Sequence, residues 1–323
     1  MYKPFFNLKR NPFEITPDPS FLFPTRRHNE ALAALYCGVR RHKGIVVLTG
    51  EVGTGKTLLV HYLLHLLKQS KDVGYAYIFN GRLSPVEFLQ YFASDLGLPV
   101  SSRNKGELLL QIAHYVIDRS QRKLTTALVV DEAQHLSAEI LEEIRLLSNL
   151  ETSQEKLLQI LLVGQPELDD KLDSVTLRQL KQRISFRSHL LPLNSDETKG
   201  YVERRLQLAG CQHPSALFPP ETIAAVYQHS QGLPRLINTV CENALITAYA
   251  RQMRSVSPEI IDNIAADFRL GIQTPALERR QTSDELDARK AARTLLELYA
   301  RLQAEQKREE EMSTRVRLQV AEE

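Results

Sequence analysis

Residues 45–58 read Ile45-Val46-Val47-Leu48-Thr49-Gly50-Glu51-Val52-Gly53-Thr54-Gly55-Lys56-Thr57-Leu58. A continuous apolar run leads into a glycine-rich turn of the pattern G-x-x-x-x-G-K-[ST], and a helical apolar stripe begins directly after it. The chemistry of such a turn is specific. Glycines let the chain wrap with its N–H groups pointing inward around a phosphate, and the following helix adds its positive N-terminal end. Lys56 then reaches the outer phosphates of a nucleoside triphosphate, and the Thr57 hydroxyl is a Mg²⁺ ligand. The expected cradle is Gly50 through Thr57, with Leu58 at its edge.

Further apolar runs lie at Tyr75–Phe79, Ala127–Val130, Leu157–Val163 and His189–Leu191. Ile45–Leu48, Ala127–Val130 and Leu157–Val163 are continuous rather than alternating, which suits strands buried on both faces of a parallel sheet. Helical stripes separate the runs at Leu58–Lys68, Pro85–Leu96, Lys105–Gln121 and Ser137–Leu150. This alternation predicts an α/β fold with a five-stranded parallel sheet, preceded by a helix at Asn29–Arg41. From residue 193 the pattern is helical only, at Ser195–Ala209, Pro220–Gln231, Pro234–Gln252 and Pro258–Phe268, which reads as a small helical domain. The expected divisions are an extended, proline- and phenylalanine-rich arm at 1–25, lying on a core because its phenylalanines need burial, and a nucleotide-binding domain at 26–192. A helical lid at 193–270 and a charged tail at 271–323 follow. In the tail Leu295, Leu298, Tyr299 and Leu302 form one narrow apolar stripe, expected to be a solvated helix or short coiled coil.

The second chemical element is Ala127-Leu128-Val129-Val130-Asp131-Glu132. The strand delivers Asp131 to the Mg²⁺ shell, and Glu132 stands where a carboxylate can deprotonate an attacking water. A guanine reader would need Asn-Lys-x-Asp after a late strand. Asn104-Lys105-Gly106-Glu107 ends in Glu and precedes Asp131, so GTP is excluded. Gln134 and His135 flank the acidic pair, at a point where nucleotide state could pass to a partner surface. The nine histidines carry no H-E-x-x-H or comparable spacing for a transition metal.

The chain has 323 residues and a formal net charge of +2, so no bulk basicity advertises nucleic acid. Cys37, Cys211 and Cys241 are far apart and lack any Cys-x-x-Cys, which argues against a disulfide framework or a structural zinc. No secretory leader and no apolar stretch of membrane-spanning length is read, so the expected location is cytoplasmic.

Several strings together resemble one family. They are Tyr2-x-x-Phe5-Phe6-x-Leu8, Asn11-Pro12-Phe13, Leu48 to Thr57, Asp131-Glu132-Ala133-Gln134 and Leu146-Leu147-Ser148-Asn149-Leu150-Glu151. With them go Gly164-Gln165-Pro166-Glu167-Leu168, Leu180-x-Gln182-Arg183-Ile184 and Gly232-Leu233-Pro234-Arg235-Leu236-Ile237-Asn238. Over residues 1–270 the chain resembles AAA+ ATPases of the origin-recognition-like branch. Within that branch it is similar to the family of general secretion pathway protein A and the mannose-sensitive-haemagglutinin pilus biogenesis ATPase.

The resemblance implies the AAA+ αβα core, the cofactors ATP and Mg²⁺, ATP hydrolysis and a homo-oligomer. It implies that Gln165 is sensor 1, although most AAA+ proteins use Asn, Ser or Thr there. It implies that Arg183, with Arg178 and Arg187 as alternates, is the arginine finger acting on a neighbour's nucleotide. Arg235 becomes sensor 2, and His28 to Glu30 resemble the stretch bordering the adenine. The work implied is cell-envelope assembly: type II secretion, a type IV-like pilus or an exopolysaccharide/exosortase system. Full-length secretion members add a transmembrane helix and a peptidoglycan-binding domain. Neither is read here, so inner-membrane contact is expected through a partner. A DNA-associated ATPase, such as a transposition regulator, is the alternative. The near-neutral charge and the short stretch after the lid disfavour it.

Overall fold

The alternation of buried runs and amphipathic stretches is realised in a computed structural model, which describes residues 1–270 apart from 17, 80–81 and 101–103. The elements run α1 (Arg26–Arg40), β1 (Ile45–Gly50), α2 (Lys56–Gln69), β2 (Val73–Ile78), α3 (Pro85–Asp95), α4 (Lys105–Gln121), β3 (Thr125–Val130), α5 (Ala138–Leu147) and β4 (Leu158–Gly164). They continue α6 (Glu167–Leu172), α7 (Arg178–Lys181), β5 (Ile184–Leu190), α8 (Ser195–Leu208), α9 (Pro214–Leu217), α10 (Pro220–Ser230), α11 (Pro234–Ala250) and α12 (Pro258–Asp267). Local chemistry sets many of the starts. Thr25, Ser84, Asn104, Ser137 and Asn194 cap α1, α3, α4, α5 and α8 with side-chain oxygens, and Ser84 and Asn194 form capping boxes with Glu87 and Glu197.

The five strands are all parallel in the order β2-β3-β4-β1-β5. β1, β3 and β4 are buried at every residue. Their alternating side chains feed two layers. Val47, Leu128, Val130 and Ile160 pack with α3, α4 and α5 through Phe88, Phe92, Ile112 and Ile144. Val46, Leu48, Val129 and Leu161 pack with α1 and α2 through Leu35, Leu59 and Leu63. β5 is longer than its apolar run His189–Leu191. It is an edge strand whose outward residues, among them Ser185, Arg187 and His189, break the apolar pattern.

The described residues of 1–25 lie on the core, where their phenylalanines are buried or half-buried. They fold into turns, with the Phe6 N–H donating to Tyr2 O at 3.2 Å and the Leu8 N–H to Lys3 O at 2.8 Å. The cause is the aromatic content: Tyr2, Phe6, Leu8 and Phe13 need burial, and the turns deliver them into the helical core beside Val202, Leu206, Phe218 and Cys241. Arg205, itself buried, clamps the segment. It donates to Pro12 O and Glu14 O and stacks over Phe21 at 4.5 Å. The described residues belong to one compact unit. The expected helix in the tail lies outside the described residues. Among those described, no helix is long and apolar enough to cross a membrane.

Phe13 is fully buried and meets Phe218 edge-on, with centroids 5.8 Å apart. Phe13→Ala should cost about 3–5 kcal/mol of unfolding free energy, read by chemical denaturation. A loss below about 1 kcal/mol would mean that the helical part stands without the segment.

Candidate functional site

Parallel strands place all their C-terminal ends on one edge, so the loops after β1, β3 and β4 converge. The phosphate loop leaves β1 and enters α2 at Gly55, which holds φ 97°. Gly53 holds φ 84°, and a Cβ there would stand 2.8 Å from Arg235 Cβ. Glycine is therefore required twice over, by backbone angle and by the approach of α11.

Lys56 is 6% exposed, and its ammonium donates to Gly50 O at 2.8 Å and Glu51 O at 3.0 Å. Burial lowers its pKa against the pull of Glu132, Asp131 and Glu51. Thr57 donates to Asp131 Oδ2 at 2.9 Å, joining the two expected Mg²⁺ ligands. Tyr77, near the end of β2, donates to the same oxygen at 3.0 Å. Among the described residues no cluster of three or more His, Cys, Asp or Glu is placed to hold a metal. A hydroxyl and one carboxylate nevertheless fit Mg²⁺, which keeps waters and phosphate oxygens as its other ligands.

Glu132 sits in a left-handed backbone conformation at φ 52°. Its Oε2 accepts from Gln134 Nε2 at 2.6 Å and from Gln165 Nε2 at 3.2 Å. Gln134 Oε1 in turn accepts from the Gln165 backbone N–H at 3.1 Å. Lys171 of α6 pins this turn by donating to Gln134 O at 2.6 Å and Leu136 O at 2.8 Å. Burial pushes the Glu132 carboxyl up. The two amide hydrogen bonds and the Lys56 charge outweigh it and hold the group below the usual carboxylate range.

Arg235 arrives from the start of α11. Its N–H donates to Gly53 O at 3.2 Å, and its side chain is exposed above the loop. Between the phosphate loop and the helical part lies a small cleft lined by Leu22, Phe23, His28, Leu58, Leu193 and Tyr201. His28 Nε2 donates to Thr54 O at 3.3 Å, which leaves Nδ1 of the neutral ring to accept from Thr25 Oγ1 at 2.7 Å, and burial depresses its pKa. Of His28, Asn29 and Glu30, only His28 lines this cleft.

Arg183 is not in this assembly. It precedes β5 at the opposite end of the sheet, where its guanidinium donates to Ser148 Oγ at 3.3 Å. Arg187 pairs with Asp169 and Asp173, and Arg178 is exposed on α7.

Sequence reasoning missed Tyr77 and Lys171, as well as the aromatic wall of Phe23 and Tyr201. Tyr77 left a signal: Tyr75 and Tyr77 alternate along a strand otherwise read as apolar. Lys171 left none, because only the packing of α6 against the 133–136 turn brings it near.

A model described as "AAA domain" matches residues 39–172. General secretion pathway protein A of Aeromonas hydrophila is 44% identical over 253 residues, covering 78% of this chain and 45% of that protein. The chain thus spans less than half the length of that relative. Among solved structures, the ORC2 protein of Aeropyrum pernix, in ADPNP–ADP complexes, superposes with TM-score 0.61 at 19% identity, over 80% of this chain and 72% of its own. Drosophila ORC bound to DNA gives TM-score 0.65 at 19% identity, over 82% and 66%. At such identities these two show the fold. The strand order, the loop after β1 and these likenesses agree: the fold is that of the AAA+ origin-recognition structures, and the chain belongs to the family of General secretion pathway protein A.

Proposed function

We propose that the chain binds ATP with Mg²⁺ and hydrolyses it, working as a homo-oligomer in cell-envelope assembly. The observation that carries the reading is the convergence of Lys56, the Thr57–Asp131 pair and the amide-held Glu132 on one edge of the sheet. Mg²⁺ held by Thr57 and Asp131 would offset the phosphate charge. Lys56 gives up its carbonyl bonds to meet the outer phosphates. The backbone N–H groups of the phosphate loop wrap them, and the cleft beside His28 takes the base. Glu132 orients and deprotonates the attacking water, Gln165 contacts the terminal phosphate, and Arg235 closes over it. In this reading residues 26–192 are the nucleotide-binding domain and 193–270 the lid, with 1–25 built into the lid.

Lys56→Ala tests the site. Nucleotide affinity should fall below detection in a calorimetric or fluorescent-nucleotide titration, with the fold unchanged by circular dichroism. Retained ATP affinity would remove the phosphate-loop assignment.

The likeness to a secretion-pathway protein supports an envelope role, in type II secretion, a type IV-like pilus or polysaccharide export. The place of work would then be the cytoplasmic side of the inner membrane. A Glu132→Gln variant held in its ATP state should recover inner-membrane envelope-assembly proteins from cell fractions. Recovery of DNA with a transposase would instead make this a DNA-associated ATPase.

A further inference from the structure

The parallel sheet has a second edge, where the strands begin. Five connecting segments meet it, 40–43, 68–72, 118–123, 151–156 and 181–183, one before each strand. They hold eleven Lys and Arg against four Asp and Glu, in a chain of net charge +2.

Hydrogen bonds make these segments one face. Arg40 pairs with Asp72, and Arg119 donates to Asp72 O at 3.3 Å and Thr125 O at 2.9 Å. His42 reaches Thr125 Oγ1 at 3.1 Å and Glu155 at 2.7 Å, and Ser185 at the start of β5 donates to Lys43 O. All four acids are engaged: Asp72 with Arg40, Asp118 with Arg122, Glu151 with Lys156 and Glu155 with His42. Arg41, Lys43, Lys68, Lys71 and Lys123 are left exposed and, among the described residues, without an ion pair.

Helix termini account for part of this. α1, α2 and α4 end here, each contributing about half a negative charge, which a single cation per helix offsets. The face carries more than that. Lys71 and Lys123 also stand in left-handed turns, at φ 56° and 58°, where Gly or Asn is the usual occupant.

We propose that this basic end is a docking face for an anionic phospholipid surface. Three features favour lipid over nucleic acid. The five segments contain no Phe, Tyr or Trp on which a base could stack, and the one imidazole, His42, is held by Thr125 and Glu155. They present helix C-termini, not the N–H-bearing N-termini that help position DNA phosphates. Four of the five unpaired cations are lysines on flexible stems, suited to diffuse attraction by a fluid anionic surface. A strand of six residues separates the two edges by roughly 20 Å, so docking leaves the nucleotide site facing away from the bilayer. The inference is independent of what the ATPase drives.

The test is co-sedimentation of the full chain with vesicles of phosphatidylcholine alone or with about one third phosphatidylglycerol, at about 50 mM and about 300 mM salt. Binding should require phosphatidylglycerol and weaken with salt. A K68S/K71S/K123S variant should bind roughly 100-fold more weakly, at about fivefold per cation, with unchanged ATP affinity and circular dichroism. Equal binding to neutral vesicles would overturn the proposal, as would wild-type vesicle binding by the triple variant. So would tighter binding to duplex DNA than to vesicles at equal phosphate, abolished by the same substitutions.

Discussion

Glu132→Gln should bind ATP with near wild-type affinity and release phosphate about 10²–10⁴-fold more slowly, the range for loss of a positioned general base. The substitution keeps the side chain's length and an oxygen to accept the amide bonds that run at 2.6 Å from Gln134 and 3.2 Å from Gln165. What it removes is the charge that takes the water's proton. The expectation rests on how firmly this group is placed. Glu132 holds a left-handed backbone conformation, and Lys171 ties the turn that carries Gln134. That investment in one carboxylate is hard to explain for a solvated strand end. A titration of nucleotide affinity beside steady-state phosphate release separates binding from chemistry. Unchanged turnover would assign the base elsewhere.

Arg183→Ala should lower turnover by about 10³–10⁵-fold if its guanidinium stabilises charge on a neighbour's terminal phosphate. Arg183 sits at the start of β5 and the phosphate loop follows β1, whose end lies beside the end of β5. The length of a strand, roughly 20 Å, therefore separates Arg183 from its own site. It acts in trans or not at all. Two signatures check this. Wild-type specific activity should rise with protein concentration. Mixing Arg183→Ala with Lys56→Ala should restore part of the activity, because one variant supplies the site and the other the arginine. Failure of the mixture, with Arg178→Ala giving the defect instead, would move the role to the exposed arginine of α7.

The sequence by itself determined the sheet, the phosphate loop and the acidic pair. Each depends on short-range pattern: continuous apolar runs for strands buried on both faces, glycines where backbone angles turn positive, and a carboxylate at a strand end. Even the edge strand β5 was visible, though only its last two residues, because exposed alternation at Ser185 and Arg187 hides a strand from a search for apolar runs. Tertiary structure decided three other things. It chose which core receives the aromatic segment, packing Tyr2, Phe6 and Phe13 among the helices after β5. It set Gln134 and Gln165, 31 residues apart, on one oxygen of Glu132. It gathered four cationic turns, at 40–43, 68–72, 118–123 and 181–183, onto a single face. In all three cases the deciding contacts join residues from separate elements, and no local periodicity encodes which loop ends will meet once parallel strands align.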